Sequence, residues 1–405
     1  MNKKSLLCGL ALFYATVFAA HAGSMSSREQ LASANTGFAF RLLAEINRGQ
    51  LDTNIFISPY SVSSVLQMVA NGAAGKTRDE IQRTLGLTNN NLTAQNEACL
   101  ALDRLIHAQN TNSILDSANA LWYRQGFPIK PEFAACNQQY FQATVTGLDF
   151  TNPSSSGIMN GWVNEKTRGR IRSIISGPIH ANTQLYLANA VYFKGKWLEP
   201  FEVKNTKERP FHLPGGREKN VPLMVRGGSF SYRHGSGYQA VRLPYLDPNL
   251  GMYVLLPDPD SSLEKLLSIL NGEDWQRVIL PGFNNNEGTL ELPLFKLDYE
   301  VKLNAPLKAL GIKTAFDLHT ADFQALGNKP TAISEALQNA FVEVNEEGTE
   351  AAAATIIMFP PKSVIINPPK PFEMIVDRPF LFIIEDDASH SILFMGAIFD
   401  PPLSK

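Results

Sequence analysis

The stretch from Glu346 to Phe359 constrains the fold of this chain more than any other, because two structures are compatible with it. Four consecutive alanines at residues 351–354 favour a helix by intrinsic propensity. With the period of a β-strand, alternate residues instead form one face that is small at its start and apolar further along: Thr349, Ala351, Ala353, Thr355, Ile357 and Phe359. Such a segment can stand as an exposed loop and can also slot as a strand between two existing strands.

The residues on either side of this stretch set where such a strand would begin and end. Gly348 supplies the backbone freedom of a hinge. Pro360 and Pro361 cannot donate hydrogen bonds to a central ladder, so an inserted strand would stop there. The sequence therefore predicts either a helix or a loop that can become a strand between Gly348 and the two prolines.

Elsewhere, the sequence pattern predicts helices in the first half of the chain and strands in the second half. Apolar residues recur at helical spacing in several segments between residues 30 and 176, the last of them at 159–176. Ser58 and Pro59 are typical of a helix start, with an N-cap residue followed by proline at the first helical position. Short apolar runs typical of strands predominate from residue 184 onward. This segregation favours an α+β fold with largely antiparallel sheets, and no linker or internal repeat divides the chain.

The N-terminus is typical of an export signal. Lys3 and Lys4 precede an apolar core from Leu6 to Ala20, and Ala20-His21-Ala22 forms an A-x-A cleavage site. The core is shorter than the roughly 20 apolar residues that a membrane-spanning helix needs, which argues against an anchor. We therefore expect residues 1–22 to be removed and residues 23–405 to be secreted, extracellular or periplasmic. Cys99 and Cys136 remain after cleavage and form one disulfide or none.

Composition and motifs argue against several functions. The chain carries 36 Lys+Arg against 38 Asp+Glu, so its net charge of −2 offers no cationic field for nucleic acid or an acidic membrane. The pattern from Ala70 to Gly75-Lys76-Thr77 satisfies a loose phosphate-binding motif, but a helix rather than a strand precedes it, and Gly72 and Gly75 are typical of helix ends. The sequence contains no G-x-S-x-G, H-E-x-x-H or C-x-x-C motif. We expect no metal, cofactor or catalytic residue, although a triad dispersed along the chain remains an alternative.

Several separated segments carry motifs that occur together in one protein family. They are residues 54–61 (NIFISPYS), Trp162-Val163 with Thr167 and Gly169, residues 187–197 (LANAVYFKGKW), residues 346–351 (EEGTEA), and residues 378–382 (RPFLF) with Phe394-Met395-Gly396. In these motifs and in their order the chain resembles the serpins, over essentially all of the sequence after the signal. The resemblance implies a single domain with three β-sheets, about nine helices and an exposed reactive-centre loop at about 346–371.

The resemblance also implies a function. Inhibitory serpins present the loop as bait, and the cut loop inserts into the large sheet before the protease can release itself, so that the protease is trapped covalently. The bait bond is expected at Lys362–Ser363, fourteen residues after the hinge glycine, which suits a trypsin-like serine protease; Met358 or Phe359 are alternatives. Cysteine proteases are possible further targets, and the molecule is expected to be a monomer that risks polymerising. The alternative is a non-inhibitory serpin-fold chaperone, carrier or storage protein.

Three groups of residues carry roles over from the family. The hinge corresponds to Glu346, Glu347, Gly348, Thr349, Glu350, Ala351, Ala352, Ala353 and Ala354. The shutter, behind the large sheet, corresponds to Ser58, Ser61, Asn189 and Gln338, and the breach, where the loop enters, to Trp197.

Two positions depart from the family pattern. Gln338 stands where many serpins have a histidine, which makes a pH-dependent shutter doubtful. Leu294 stands where a lysine usually pairs with the hinge glutamate, and Lys296 is expected to serve Glu346 instead.

Overall fold

The computed structural model describes residues 25–50, 52–87, 91–180, 182–349 and 370–402. Nine α-helices lie within these ranges: α1 (Ser27–Gly49), α2 (Pro59–Ala70), α3 (Gly75–Leu85), α4 (Leu92–Gln109), α5 (Pro131–Phe141), α6 (Ser154–Lys166), α7 (Leu263–Ile269), α8 (Gly272–Asp274) and α9 (Asn304–Ala309). Their starts follow local chemistry. Ser26 and Glu29 form a capping box at α1, and Ser58 caps α2 with Pro59 at its first position, as the sequence predicts.

A six-stranded sheet contains β2 (Ile114–Arg124), β3 (Thr144–Leu148), β4 (Leu185–Lys196), β10 (Phe295–Lys302), β11 (Ile333–Asn345) and β12 (Gly348–Thr349). The strand order is β10-β11-β12-β4-β2-β3. β11 and β4 also pair directly, in parallel, from Ile333 opposite Leu185 to Phe341 opposite Tyr192. The short β12 therefore lies between two strands that contact each other along most of their length.

The other strands form a nine-stranded sheet. They are β1 (Ile55–Ile57), β5 (Lys207–His212), β6 (Glu218–Gly235), β7 (Tyr238–Pro244), β8 (Leu250–Pro257), β9 (Asn284–Pro293), β13 (Phe372–Ile375), β14 (Phe380–Asp386) and β15 (Ser391–Ile398). Among the described residues the ladders thus form two sheets rather than the three expected. The reason is that β6 runs unbroken for 18 residues, pairing with β5 and β9 and then with β7, so it joins two groups of strands.

The buried residues form three clusters that fix how the layers pack. One lies between the two sheets and includes Phe193, Trp197 and Tyr245. In the second, α1, α2 and neighbouring helices pack against strands of both sheets. In the third, Met159 and Val163 of α6 pack on the opposite face of the six-stranded sheet. The six-stranded sheet is therefore covered on both faces, and the described helices and sheets form one mixed α+β domain.

Three local expectations from the sequence require correction or completion. The helix expected at 159–176 ends at Lys166, because Arg168 and Gly169 adopt positive φ and Asn160 binds the backbone N–H groups of Ile174 and Ile175 instead. Gly75 does not end a helix but begins α3. Cys99 and Cys136 are both free thiols, so the open question of their pairing is answered.

Among the described residues, no helix is both long and apolar enough to cross a membrane.

Candidate functional site

β12 opens the six-stranded sheet at one end. Thr349 lies opposite Val344 of β11 on one side and Gly195 of β4 on the other, and both pairings are antiparallel. Beyond β12, β11 and β4 pair directly with each other, from Phe341 opposite Tyr192 to Ile333 opposite Leu185. Two residues of the predicted hinge, Gly348 and Thr349, already occupy the position of a central strand.

Glycine is required at position 348 by close approach of backbone atoms. A Cβ on Gly348 would lie 2.2 Å from the Gly195 carbonyl oxygen and 2.7 Å from the Lys196 Cα. Because both are main-chain atoms, neither can rotate away. Gly348 is therefore needed here for space, in addition to the hinge freedom that the sequence predicts.

Trp197, the predicted breach residue, binds the turn that leads into β12. Its backbone N–H donates to the Glu347 carbonyl oxygen at 3.0 Å, and its indole Nε1–H donates to the Asn345 carbonyl oxygen at 3.0 Å. The indole stacks on the Tyr245 ring with centroids 4.7 Å apart. Trp197 is 3% exposed, so these bonds are shielded from water.

Tyr245 contacts the first hinge side chain inside the sheet. Its hydroxyl and the Thr349 hydroxyl lie 2.8 Å apart, and both residues are fully buried. Burial raises the pKa of Tyr245, so the phenol is neutral and able to donate or accept. No sequence pattern singled out Tyr245, because its role depends on a contact across two sheets.

Glu346 is held by a hydroxyl rather than by a cation. Its carbonyl oxygen accepts from the Phe201 N–H at 2.8 Å, and its Oε1 accepts from the Thr206 hydroxyl at 2.7 Å. The expected Glu346–Lys296 pair is wrong. The register places Lys296 opposite Glu343, and Lys296 Nζ lies 3.4 Å from Glu343 Oε2 in an ion pair. Glu346 lies beyond the end of β11, where its side chain contacts Thr206 instead.

The four predicted shutter residues lie together, behind the line where β11 and β4 meet. Gln338 and Asn189 are direct neighbours across that line, and Gln338 Nε2 donates to Asn189 Oδ1 at 2.6 Å. Gln338 also accepts from the Ser58 N–H and donates to the Ser58 carbonyl oxygen, both at 3.0 Å. Asn189 Nδ2 donates to the Ser61 hydroxyl. All four residues are at most 1% exposed.

The cluster extends to two residues that the sequence did not single out. Asn189 Nδ2 also donates to Asn119 Oδ1 at 2.8 Å, and the Ser61 and Ser117 hydroxyls lie 2.5 Å apart. Both new residues belong to β2, which pairs with β4 on the far side of Asn189. Only serine, asparagine and glutamine side chains take part in these bonds, so the bonds themselves involve no titratable group. The period-two pattern of β2 alone could not have distinguished Ser117 and Asn119 from ordinary polar strand residues.

The remaining predicted site residues lie outside the described residues. They are the rest of the hinge, Glu350, Ala351, Ala352, Ala353 and Ala354, and the bait residues Lys362 and Ser363. Within the described ranges, no group of three or more His, Cys, Asp or Glu side chains is arranged to hold a metal ion.

Comparisons with known proteins identify the family. The model of the family described as "Serpin (serine protease inhibitor)" matches residues 33–401. The leukocyte elastase inhibitor of Sus scrofa is 35% identical over 392 residues, covering 92% of this chain and 100% of its own. The crystal structure of native protease nexin-1 with heparin superposes with a TM-score of 0.82 at 29% identity, covering 93% of this chain and 99% of the other. The structure of human thyroxine-binding globulin gives 0.83 at 25% identity, covering 93% and 100%.

The chain belongs to the serpin family and has the serpin fold. This family includes relatives named as protease inhibitors, and leukocyte elastase inhibitors are among the similar sequences.

Proposed function

We propose that this serpin inhibits a serine protease as a suicide substrate, with cleavage at Lys362–Ser363 followed by insertion of the loop as a strand. One observation carries the proposal: Gly348 and Thr349 already pair with β11 and β4 at the open end of the sheet. Inhibition by this route requires no catalytic residue in the serpin, because the protease performs the chemistry.

The register of β12 indicates how far the loop would insert. Continued residue by residue, the pairing of Thr349 with Gly195 brings Phe359 opposite Leu185, the first residue of β4. The stretch from Gly348 to Phe359 therefore matches the 12 residues of β4, and Pro360 falls just beyond the strand, where a missing N–H costs nothing.

The same register explains the two faces of the loop sequence. Thr349 points to the side of Tyr245, into the core between the sheets. By alternation, Ala351, Ala353, Thr355, Ile357 and Phe359 would share that side, and Glu350 would face the side of α6. The increasingly apolar face thus meets the buried core, which favours insertion over the helix that the alanines suggest.

Thr355 would arrive at the shutter. In the continued register it lies between Gln338 and Asn189, which now bond each other at 2.6 Å. That bond must break when the strands part, and the Thr355 hydroxyl, on the same face, can donate to one amide and accept from the other. Insertion would then leave neither buried amide unsatisfied.

Energetics support a fold that is metastable before cleavage. A full central strand would add about a dozen ladder hydrogen bonds on the order of 1 kcal/mol each, besides burying the apolar face. The uncut loop cannot reach all of these pairings while both its ends are held, so the stabilisation is released only by cleavage. We therefore expect the cleaved molecule to be markedly more heat-stable than the intact one.

Lysine at the bait position favours a trypsin-like target, whose specificity pocket contains a buried carboxylate. Cysteine proteases are secondary candidates, and Met358 or Phe359 remain alternative bait residues with elastase-like or chymotrypsin-like targets. We also propose, from the Lys3-Lys4 head and the A-x-A site, that the protein is secreted. N-terminal sequencing of the exported protein should then start at Gly23.

The proposal is tested by incubating the protein with trypsin, followed by denaturing electrophoresis and mass mapping. We expect a complex that resists denaturation and a released fragment that begins at Ser363. Lys362→Ala should abolish both, whereas Lys370→Ala is the matched control, because Pro371 follows that lysine and makes it a poor trypsin site. Complex formation that survives Lys362→Ala would show that the bait bond is elsewhere.

A non-inhibitory carrier is the second candidate, favoured by the structural similarity to thyroxine-binding globulin. Clean cleavage without a complex, by trypsin-like, chymotrypsin-like and elastase-like enzymes alike, would support it against inhibition.

A further inference from the structure

Tyr245 occupies an unusual position between the two sheets. It follows β7 of the nine-stranded sheet and bridges to Trp197, just after β4 of the six-stranded sheet. Its ring stacks on Trp197 and meets the edge of Phe193, with a centroid distance of 5.2 Å. The surroundings of the ring are therefore apolar, and its hydroxyl is bonded to Thr349.

The cost of separating Tyr245 from Thr349 falls mainly on the tyrosine. If Gly348 and Thr349 left the sheet, the threonine hydroxyl would reach water, but the buried phenol would lose its partner in an apolar environment. An unpaired buried hydroxyl is strongly unfavourable, whereas the gain from a typical exposed hydrogen bond is small. The Tyr245–Thr349 bond thus favours the inserted position of the hinge.

The other hydrogen bonds of the hinge do not depend on which side chain stands at position 349. Trp197 and Phe201 donate to main-chain carbonyl oxygens of the turn, which any sequence would present. Glu346 binds Thr206 outside the ladder. Within β12, the contact with Tyr245 depends on a particular side chain at a particular ladder position.

We propose that Tyr245 is a positioning residue that holds Thr349 in the sheet of the uncut protein and thereby sets the register in which the loop inserts. Its consequence for inhibition rests on the function proposed above. A slip by one residue would turn Glu350 toward the core and the small, apolar face away from it. Fixing Thr349 beforehand excludes that slip.

The first test uses hydrogen exchange of the intact protein, without a protease. The reporters are the amides of Trp197 and Phe201, which donate to the Glu347 and Glu346 carbonyl oxygens, and the amide of Thr349, which lies in the ladder between β11 and β4. We expect Tyr245→Phe and Thr349→Val each to speed their exchange about tenfold, the effect of one buried hydrogen bond. The double variant should exchange no faster than Thr349→Val alone, because with both hydroxyls removed no hydroxyl is left unpaired in the seated hinge, so the two effects should not add.

Tyr253→Phe is the matched control. It removes a hydroxyl that donates to Asp387 at 2.9 Å in the nine-stranded sheet, so it reproduces a general loss of stability. It should leave exchange at the three reporter amides unchanged. Equal effects of Tyr253→Phe and Tyr245→Phe, or additive effects in the double variant, would overturn the proposal.

The second test measures the outcome of encounters with trypsin. We expect Tyr245→Phe to shift the products several-fold from trapped complex toward cleaved serpin, and the double variant to recover much of the loss. A normal complex yield in Tyr245→Phe would contradict the role in insertion. If the wild type traps no protease at all, the proposed function fails, while the exchange experiment still decides whether Tyr245 holds the hinge.

Discussion

Glu346 shows how one side chain can hold the hinge without an ion pair. Its carboxylate accepts from the Thr206 hydroxyl at 2.7 Å, and a lysine at this position could not accept. We predict that Glu346→Lys releases the turn and promotes premature insertion or polymerisation, seen by size-exclusion chromatography after mild warming. Thr206→Ala, which removes the same bond without adding charge, should show a weaker form of the defect. Unchanged monomer and unchanged inhibition in Glu346→Lys would contradict the prediction.

Glu385 predicts a pH dependence of stability. It is 1% exposed, its Oε2 accepts from Trp275 Nε1 at 2.6 Å, and burial raises its pKa from an ordinary 4.5 to about 8. Between these two pH values the folded state binds a proton that the unfolded state has released, so the contribution of Glu385 to stability is greatest below about pH 4.5 and is lost as the pH rises toward 8. The pKa of Asp387, also raised by burial, acts in the same direction.

The test compares thermal unfolding of the wild type and Glu385→Gln at pH 5 and pH 8. We expect the wild type to lose on the order of a few kcal/mol between these values. Glu385→Gln keeps an acceptor for Trp275 but cannot ionise, so its loss should be much smaller. Parallel curves for the two proteins would show that another group is responsible.

At the scale of elements, β12 depends on Gly348, which packs directly against the main chain of β4. Gly348→Ala would drive a Cβ to 2.2 Å from the Gly195 carbonyl oxygen, so β12 should leave the sheet. With a protease that the wild type traps as proposed, we predict that this variant is mostly cleaved rather than trapped in a complex, as measured by the ratio of cleaved product to complex. Gly157→Ala in α6 is the control, because a Cβ there meets nothing within 4 Å and alanine favours a helix.

The elements differ in how far the sequence predicted them. Local chemistry was sufficient for the cap of α2 at Ser58, whereas the shared face of Thr349 and the apolar end of the loop stays a prediction. The end of α6 was not predictable from periodicity, since Ile171 and Ile174 are buried at helical spacing without being helical. The Lys296–Glu343 pair depends on the register between β10 and β11, which is a long-range property.

The whole molecule is predicted to be indifferent to thiol reductants. Cys99 and Cys136 are free, and burial raises the pKa of Cys99, whose Sγ donates to Gln67 Oε1 at 2.6 Å. We expect the unfolding temperature to be the same with and without dithiothreitol. A fall on reduction would mean that the two thiols are joined in the protein as isolated, and mass spectrometry after alkylation would show it.

The continuity of the nine-stranded sheet has a consequence for the protein after it is cut. The segment beyond the proposed bait bond supplies β13, β14 and β15, and β14 lies between β8 and β15, with β1 on the outer side of β15. Cleavage of the loop would therefore break the covalent connection between two fragments that stay bound to each other. Neither β14 nor β15 can leave the sheet without breaking its hydrogen bonds to the strands on both sides. The two fragments should migrate as one species in native buffer and separate only in denaturant. Cleavage would then change the covalent structure of the protein but not the strand pairing that holds it together.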